Sequence, residues 1–227
     1  MTPVLKAAWL IARKDLIVEA RSRELAYTTV FFSMACVLVF AFSFVREGRA
    51  PEGIGAGILW VAIAFSGTLA LGRAFERERQ AETLRALLLA PVERASIYLG
   101  KLVGLVILMA AVEIILVPVI ALLFGAPLGH APLLLAALLA LGTIGFAAVG
   151  TLLAAMLVRA HSRDVLLPIL LYPLAVPVII GGVRGTAALF AVEPDIAMAQ
   201  TWLSMLVFFD AVFVTLALWL FAPVMQD

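Results

Sequence analysis

Residues 73–101 read RAFERERQAETLRALLLAPVERASIYLGK. This is the longest charged stretch between two hydrophobic runs. It holds Arg73, Arg77, Arg79, Arg85, Arg94 and Lys101 beside Glu76, Glu78, Glu82 and Glu93. In its middle lies an apolar knot, Leu84, Leu87, Leu88 and Leu89, closed by Pro91. Thr83 is placed to cap a short helix over TLRALLL, because a threonine hydroxyl satisfies an amide left open in a first turn. Pro91 suits the start of a second helix, PVERASIYLGK, since its missing N–H is not needed there. The stretch therefore predicts helix, break, helix, leading straight into the next apolar run. Exposed leucines on such a helix need cover, and a groove on a soluble partner covers them better than lipid headgroups do.

The rest of the chain is apolar. Of 227 residues, 65% are hydrophobic and 14% charged, with a mean hydropathy of +1.15. A soluble domain has roughly 25% charged and 45–50% apolar residues. The composition predicts an all-α integral membrane protein. Six runs are long enough to span, given that a span needs about 20 mainly apolar residues. They cover 25–45, 54–72, 102–124, 132–158, 165–183 and 198–222. The third and fourth are joined by the tight turn GAPLGHA.

Residues 3–24 predict an amphipathic helix lying in the headgroup plane. Leu5, Trp9, Ala12, Leu16 and Ala20 fall on one helical stripe, with Lys6, Arg13, Lys14 and Arg21 to one side. The apolar piece from Ala7 to Ala12 is shorter than a secretory h-region, and Arg13, Lys14 and Asp15 follow at once. It does not read as a cleavable signal peptide.

Orientation follows from the positive-inside bias of short loops. Of the 16 Lys and Arg residues, Lys6, Arg13, Lys14, Arg21, Arg23, the six in 73–101, Arg159 and Arg163 fall on one side. Only Arg46, Arg49 and Arg184 fall on the other. Six spans with both termini and residues 73–101 in the cytoplasm satisfy this bias.

The fifth run carries Pro168, Pro173 and Pro177. Each removes a backbone donor, and in lipid the freed carbonyls must be satisfied inside the protein. A kinked, inward-packed helix is expected. The following RGTAALFAVEPDIAMAQ is too short and polar to span and predicts a small helix at the outer surface. Gly53 and Gly57, Gly100 and Gly104, and Gly181 and Gly185 are spaced for close helix contact.

Motifs for catalysis are missing. The two histidines, His130 and His161, are far apart in the topology and form no zinc helix. Gly100-Lys101 is followed by Leu102, with Ala95 where the first glycine of a phosphate loop belongs. Phe65-Ser66-Gly67 is only a fragment of a nucleophile elbow. Cys36 is a lone thiol inside a hydrophobic run and reads as a small buried hydrophobe. His130 reads as a solvated loop residue rather than a haem ligand. No metal site and no nucleic-acid partner are expected.

Two acids fall near the bilayer centre, Glu113 in the third run and Asp210 in the sixth. An ionised carboxylate there costs about 2.5–3.5 kcal/mol on the insertion scale, and no Lys or Arg lies at that depth. They form a candidate intramembrane polar site. The favoured reading is a protonated acid bonded to a hydroxyl or carbonyl on a neighbouring span. A proton or substrate site is the sharper alternative.

An N-terminal amphipathic helix, six spans and a two-part cytoplasmic helix between spans two and three resemble the permease of ABC-2-type exporters. Within that class, residues 56–101 are similar to the haem exporter protein B (CcmB) family. The resemblance rests on Trp60-Val61, Leu69-Ala70-Leu71, Arg73-x-Phe75, Thr83-Leu84, Leu87-Leu88-Leu89, Pro91 and Leu99-Gly100-Lys101, with Leu166-Leu167-Pro168 in the fifth run. Glu82 stands where many relatives carry Gly.

The resemblance implies a non-catalytic permease subunit of the bacterial inner membrane, acting in haem delivery for c-type cytochrome maturation. It implies a homodimer in which each copy docks an ATP-binding subunit (CcmA-like) through a coupling helix. The docking residues would be Thr83, Leu84, Leu87, Leu88, Leu89, Pro91, Glu93 and Arg94. A haem-handling membrane protein (CcmC-like) and a small companion (CcmD-like) are the further implied partners. ATP would be bound by the partner, and haem is the implied substrate rather than a resident cofactor. Two other classes stay open: a stand-alone transporter driven by protons through Glu113 and Asp210, and a scaffold without energy coupling. A proton-driven fold of this kind commonly shows inverted repeats. Spans one to three and four to six share no landmarks.

Overall fold

A computed structural model describes residues 3–45, 51–74, 93–158, 160 and 162–224. Every element among them is a helix: α1 (Pro3–Ser22), α2 (Glu24–Phe44), α3 (Ile54–Ala74), α4 (Arg94–Phe124), α5 (Pro132–Met156), α6 (Arg163–Phe190) and α7 (Ile196–Val224). The six from α2 to α7 are long and apolar enough to cross a membrane. They match the six runs read from composition in number and order; the third begins earlier and the fifth ends later than expected. A lipid-spanning backbone must satisfy its own N–H and C=O groups, and a helix does so within one segment.

α3 and α5 are the inner spans. Both are buried along most of their length, whereas α2 and α7 show most of theirs. α3 touches α2, α4, α5 and α6, and α5 touches α3, α4, α6 and α7. Trp60 of α3 sits at the junction, 1% exposed. A Cβ at Gly142 of α5 would lie 2.0 Å from the indole, and one at Gly182 of α6 would lie 2.3 Å from it. Two helices therefore present bare backbone to the ring. The indole Nε1–H donates to Thr186 Oγ1 at 3.0 Å, which satisfies its one polar atom. The same device recurs toward the end of α3, where Leu71 lies 2.2 Å from a Cβ built on Gly150.

α4 is one helix of 31 residues. At 1.5 Å per residue it is about 46 Å long, well beyond the roughly 30 Å hydrocarbon layer. Its first turns therefore stand outside the hydrocarbon. Sequence reading placed a separate helix from Pro91 before a span beginning at 102. Pro91 lies outside the described residues, Glu93 is extended (φ −63°, ψ 137°), and from Arg94 the two pieces are continuous. Nothing between Arg94 and Phe124 breaks the backbone ladder until Pro118. α4 ends at Gly125, whose φ of 66° suits a residue without Cβ.

α6 is longer than its apolar run predicts. It runs without interruption from Arg163 to Phe190 through all three prolines. It packs by Leu167, Leu171, Ala175, Val178 and Gly182, while Pro173 is exposed and Pro168 and Pro177 are half-buried. The prolines thus border the outward face rather than the packed one. Residues 184–200 also form no separate surface helix. Arg184 to Phe190 extend α6, because Gly185, Thr186, Ala188 and Leu189 continue its buried face against α3, α5 and α7. Ala191–Asp195 then links to α7, with Asp195 Oδ1 accepting the Met198 N–H at 2.9 Å as a helix cap.

The glycine pairs divide. Gly100 and Gly104 meet α1, and Gly181 and Gly185 meet α7. Gly53 lies in the turn before α3 with φ 75°, and a Cβ at Gly57 would find open space. A Cβ on Gly53 would only graze Ala187 of α6 at 3.9 Å, so this pair forms no tight helix contact among the described residues.

The Trp60 seat gives a direct prediction. Gly142→Ala is expected to destabilise the chain by about 1–3 kcal/mol through overpacking, whereas Gly57→Ala leaves it unchanged or slightly firmer. Thermal unfolding of both variants in detergent, followed by circular dichroism, measures the difference.

Candidate functional site

Most of the residues expected to meet a partner, Thr83, Leu84, Leu87, Leu88, Leu89 and Pro91, lie outside the described residues. Glu93 is exposed and Arg94 half-buried at the entry of α4. The two points from which residues 75–92 depart, the end of α3 and the start of α4, are described in full.

The α3 exit is tied twice. Arg73 Nη1 meets Glu24 Oε1 at 2.7 Å, joining it to the start of α2. Arg163, 3% exposed at the start of α6, donates from Nη2 to the Leu71 carbonyl at 3.1 Å. The last carbonyls of a helix lack intrahelical partners and carry its negative dipole end, so a guanidinium is favourable there.

The α4 entry is tied to different elements. Tyr98 is fully buried and donates its hydroxyl to the Ala148 carbonyl of α5 at 3.0 Å. Lys101, 5% exposed, meets Asp15 Oδ2 of α1 at 2.8 Å. Asp15 Oδ1 also meets Lys14 at 3.0 Å. α1 lies closely enough for this because Gly100 has no side chain. A Cβ there would sit 2.7 Å from Ile11 Cβ and 2.8 Å from the Ala8 carbonyl oxygen.

α1 thus buries Ala8, Ile11 and Ala12 against α4, not the whole predicted stripe. Leu5 and Trp9 are about half exposed. Sequence reading followed the apolar stripe and passed over Asp15. The available signal was its position: Asp15 falls three and four residues after Ala12 and Ile11, on the face of the small residues.

The two interior acids do not come together. Glu113, 6% exposed, accepts a hydrogen bond from Thr143 Oγ1 of α5. Asp210, 7% exposed, rests on the bare backbone of Gly145, also in α5, where a Cβ would lie 2.5 Å from Oδ1. Neither Asp210 oxygen has a hydrogen-bond partner among the described residues. Positions 143 and 145 are two residues apart, about 200° round a helix. The acids therefore approach α5 from nearly opposite faces and share no site. Thr143 and Gly145 were not singled out from the sequence, since only the packing of α4 and α7 on α5 brings them into contact.

Phe65 lies edge-on between Phe32 of α2 at 6.2 Å and Tyr172 of α6 at 6.1 Å. Tyr172 accepts a bond from Thr68 at 3.4 Å. Phe65 and Leu69 are both partly exposed, so this aromatic row faces outward across α2, α3 and α6. His130 is an exposed loop residue. Among the described residues no three His, Cys, Asp or Glu side chains gather.

The Lys101–Asp15 pair makes an asymmetric prediction. Asp15→Asn takes one carboxylate partner from a buried ammonium and is expected to cost about 1–3 kcal/mol, below the full loss for a pair buried on both sides. Lys101→Met leaves a half-buried carboxylate that still has Lys14, and costs less. The double variant recovers part of the Asp15→Asn loss. Detergent melting curves of the four proteins give the coupling directly.

Comparison with known proteins adds the lineage. The family model described as CcmB protein matches residues 6–226. Heme exporter protein B of Pseudomonas aeruginosa is 30% identical over 173 residues, covering 76% of this chain and 77% of that protein. Heme exporter protein B of Paracoccus denitrificans is 33% identical over 152 residues, 67% of this chain and 69% of that protein. Heme exporter protein B of Escherichia coli K12 is 32% identical over 96 residues, 42% of this chain and 44% of that protein. With one family model running through all six apolar helices, the chain belongs to the CcmB family of multi-pass membrane proteins.

Proposed function

We propose that this chain is the membrane permease subunit of an ABC transporter acting in haem export for c-type cytochrome maturation. The names of its relatives support the haem assignment. The observation that carries the mechanical part is the paired anchorage of residues 75–92. Both of their roots lie at the cation-bearing end of the bundle, and each is bonded to different neighbours.

In this reading residues 83–94 dock an ATP-binding subunit, and the chain has no phosphate-binding loop of its own. Closure of two ATP-binding subunits shifts the docked segment. The shift enters α4 as a rigid rod carrying α1 through Lys101–Asp15. On the other root, Arg73–Glu24 and Arg163 hold α3 to α2 and α6. The two groups move relative to each other as packed bodies with two arrangements. The stroke serves haem transfer or the release of a haem-loaded chaperone.

The chain acts as a homodimer in a bacterial inner membrane with both termini cytoplasmic. The outward aromatic row of Phe32, Phe65 and Tyr172 is suited to cover by apolar helices of a second copy or of the haem-handling partners (CcmC-like and CcmD-like). The proton-driven alternative is weakened by the separation of Glu113 and Asp210 on opposite faces of α5.

Leu87→Asp with Leu88→Asp is expected to abolish co-purification with the ATP-binding subunit while membrane insertion stays normal. Normal association would remove the docking assignment, and retained association without stimulated ATP hydrolysis would favour a scaffold. Glu113→Gln with Asp210→Asn is expected to leave cytochrome c maturation intact. Loss of maturation in a fully assembled complex would favour the proton-driven reading.

A further inference from the structure

The charges of α1 are sorted by face. Its two acids are turned toward the bundle and used there. Asp15 pairs with Lys101 at 2.8 Å, and Glu19 Oε1 accepts the Ala26 N–H at 2.8 Å at the start of α2. Its cations Lys6, Arg13, Lys14 and Arg21 are all exposed. At 100° per residue Lys6 and Arg13 lie opposite Ala8, Ile11 and Asp15, and Lys14 and Arg21 fall on one flank of that outer face. On the same outer face the described residues leave apolar side chains half or more uncovered, Trp9 at 50% and Leu10 at 61% exposure. An isolated amphipathic helix needs no such segregation of its acids. Here the intramolecular bonds remove both negative charges from the outer face and leave it cationic and apolar together.

We propose that the outer face of α1 binds anionic phospholipid headgroups of the adjoining leaflet. The apolar side chains enter the acyl boundary, and the cations engage phosphates, as basic residues do near an anionic surface. A neutral leaflet satisfies only the apolar half of this face. The buried Lys101–Asp15 pair and the Gly100 saddle make α1 continuous with the first turns of α4, so the lipid contact holds the root from which residues 75–92 depart. This inference does not depend on which partner docks there or on what is transported.

The test uses the full chain, purified in detergent, stripped of lipid and titrated with phosphatidylglycerol or phosphatidylcholine under native mass spectrometry. Wild type is expected to retain phosphatidylglycerol, and Lys6→Gln/Arg13→Gln/Arg21→Gln to retain several-fold less. Phosphatidylcholine retention should be the same for both. Arg13→Lys/Arg21→Lys keeps the charge and should keep the phosphatidylglycerol. Equal phosphatidylglycerol retention by the triple glutamine variant overturns the proposal.

A second readout guards against misfolding of that variant. In a Cys36→Ser background, Leu10→Cys is labelled with a maleimide in vesicles. Phosphatidylglycerol vesicles should protect it more than phosphatidylcholine vesicles. Protection that is indifferent to headgroup charge, or that appears only when partner subunits are added, assigns this face to something other than anionic lipid and overturns the proposal.

Discussion

Trp60 occupies a seat that two other helices make by having no side chains there. Gly142 on α5 and Gly182 on α6 let the indole lie against backbone, and Thr186 takes its only polar hydrogen. In lipid the hydrophobic effect does not distinguish helix contact from acyl contact, so close packing and interhelical bonds must hold spans together. One large rigid ring against two bare backbones provides both. Once Trp60 is seated, the positions of α3, α5 and α6 along one another are set. Leu71 then falls on Gly150 and the end of α3 falls beside Arg163.

That register has consequences at the cation-bearing end. The exit of α3 and the entry of α4 are bonded to separate sets of neighbours, α2 and α6 on one side and α1 and α5 on the other. These bonds join elements distant in sequence, and several are buried, where an unmade partner is costly. Between them lies a segment whose sequence is charged and leucine-rich, and the helices flanking it are bonded to different neighbours. Among the described residues no three His, Cys, Asp or Glu side chains gather, and the sequence carries no phosphate-binding loop.

The interior acids illustrate how burial alone misleads. Glu113 and Asp210 share a depth, which made them a natural pair on paper. In the fold α5 stands between them. Glu113 has a hydroxyl partner in Thr143, and Asp210 has the space left by Gly145. Each is accommodated by its own helix contact, and nothing links the two.

The sequence by itself determined the fold class, the number and order of the six spans, and the uneven placement of cations. These depend on hydrophobicity and length, which the bilayer reads locally, one segment at a time. The family resemblance was readable for a related reason: a dense run of motif residues lies in one continuous stretch from Trp60 to Lys101. The tertiary structure alone decided that Gly142, Gly182 and Gly150 are contact points, that Asp15 belongs to Lys101, and that α6 absorbs Arg184 to Phe190 instead of ending near Gly181. Such facts depend on which helix faces which. Six apolar helices of similar composition admit many arrangements, and only the matching of a few large side chains to a few missing ones selects among them.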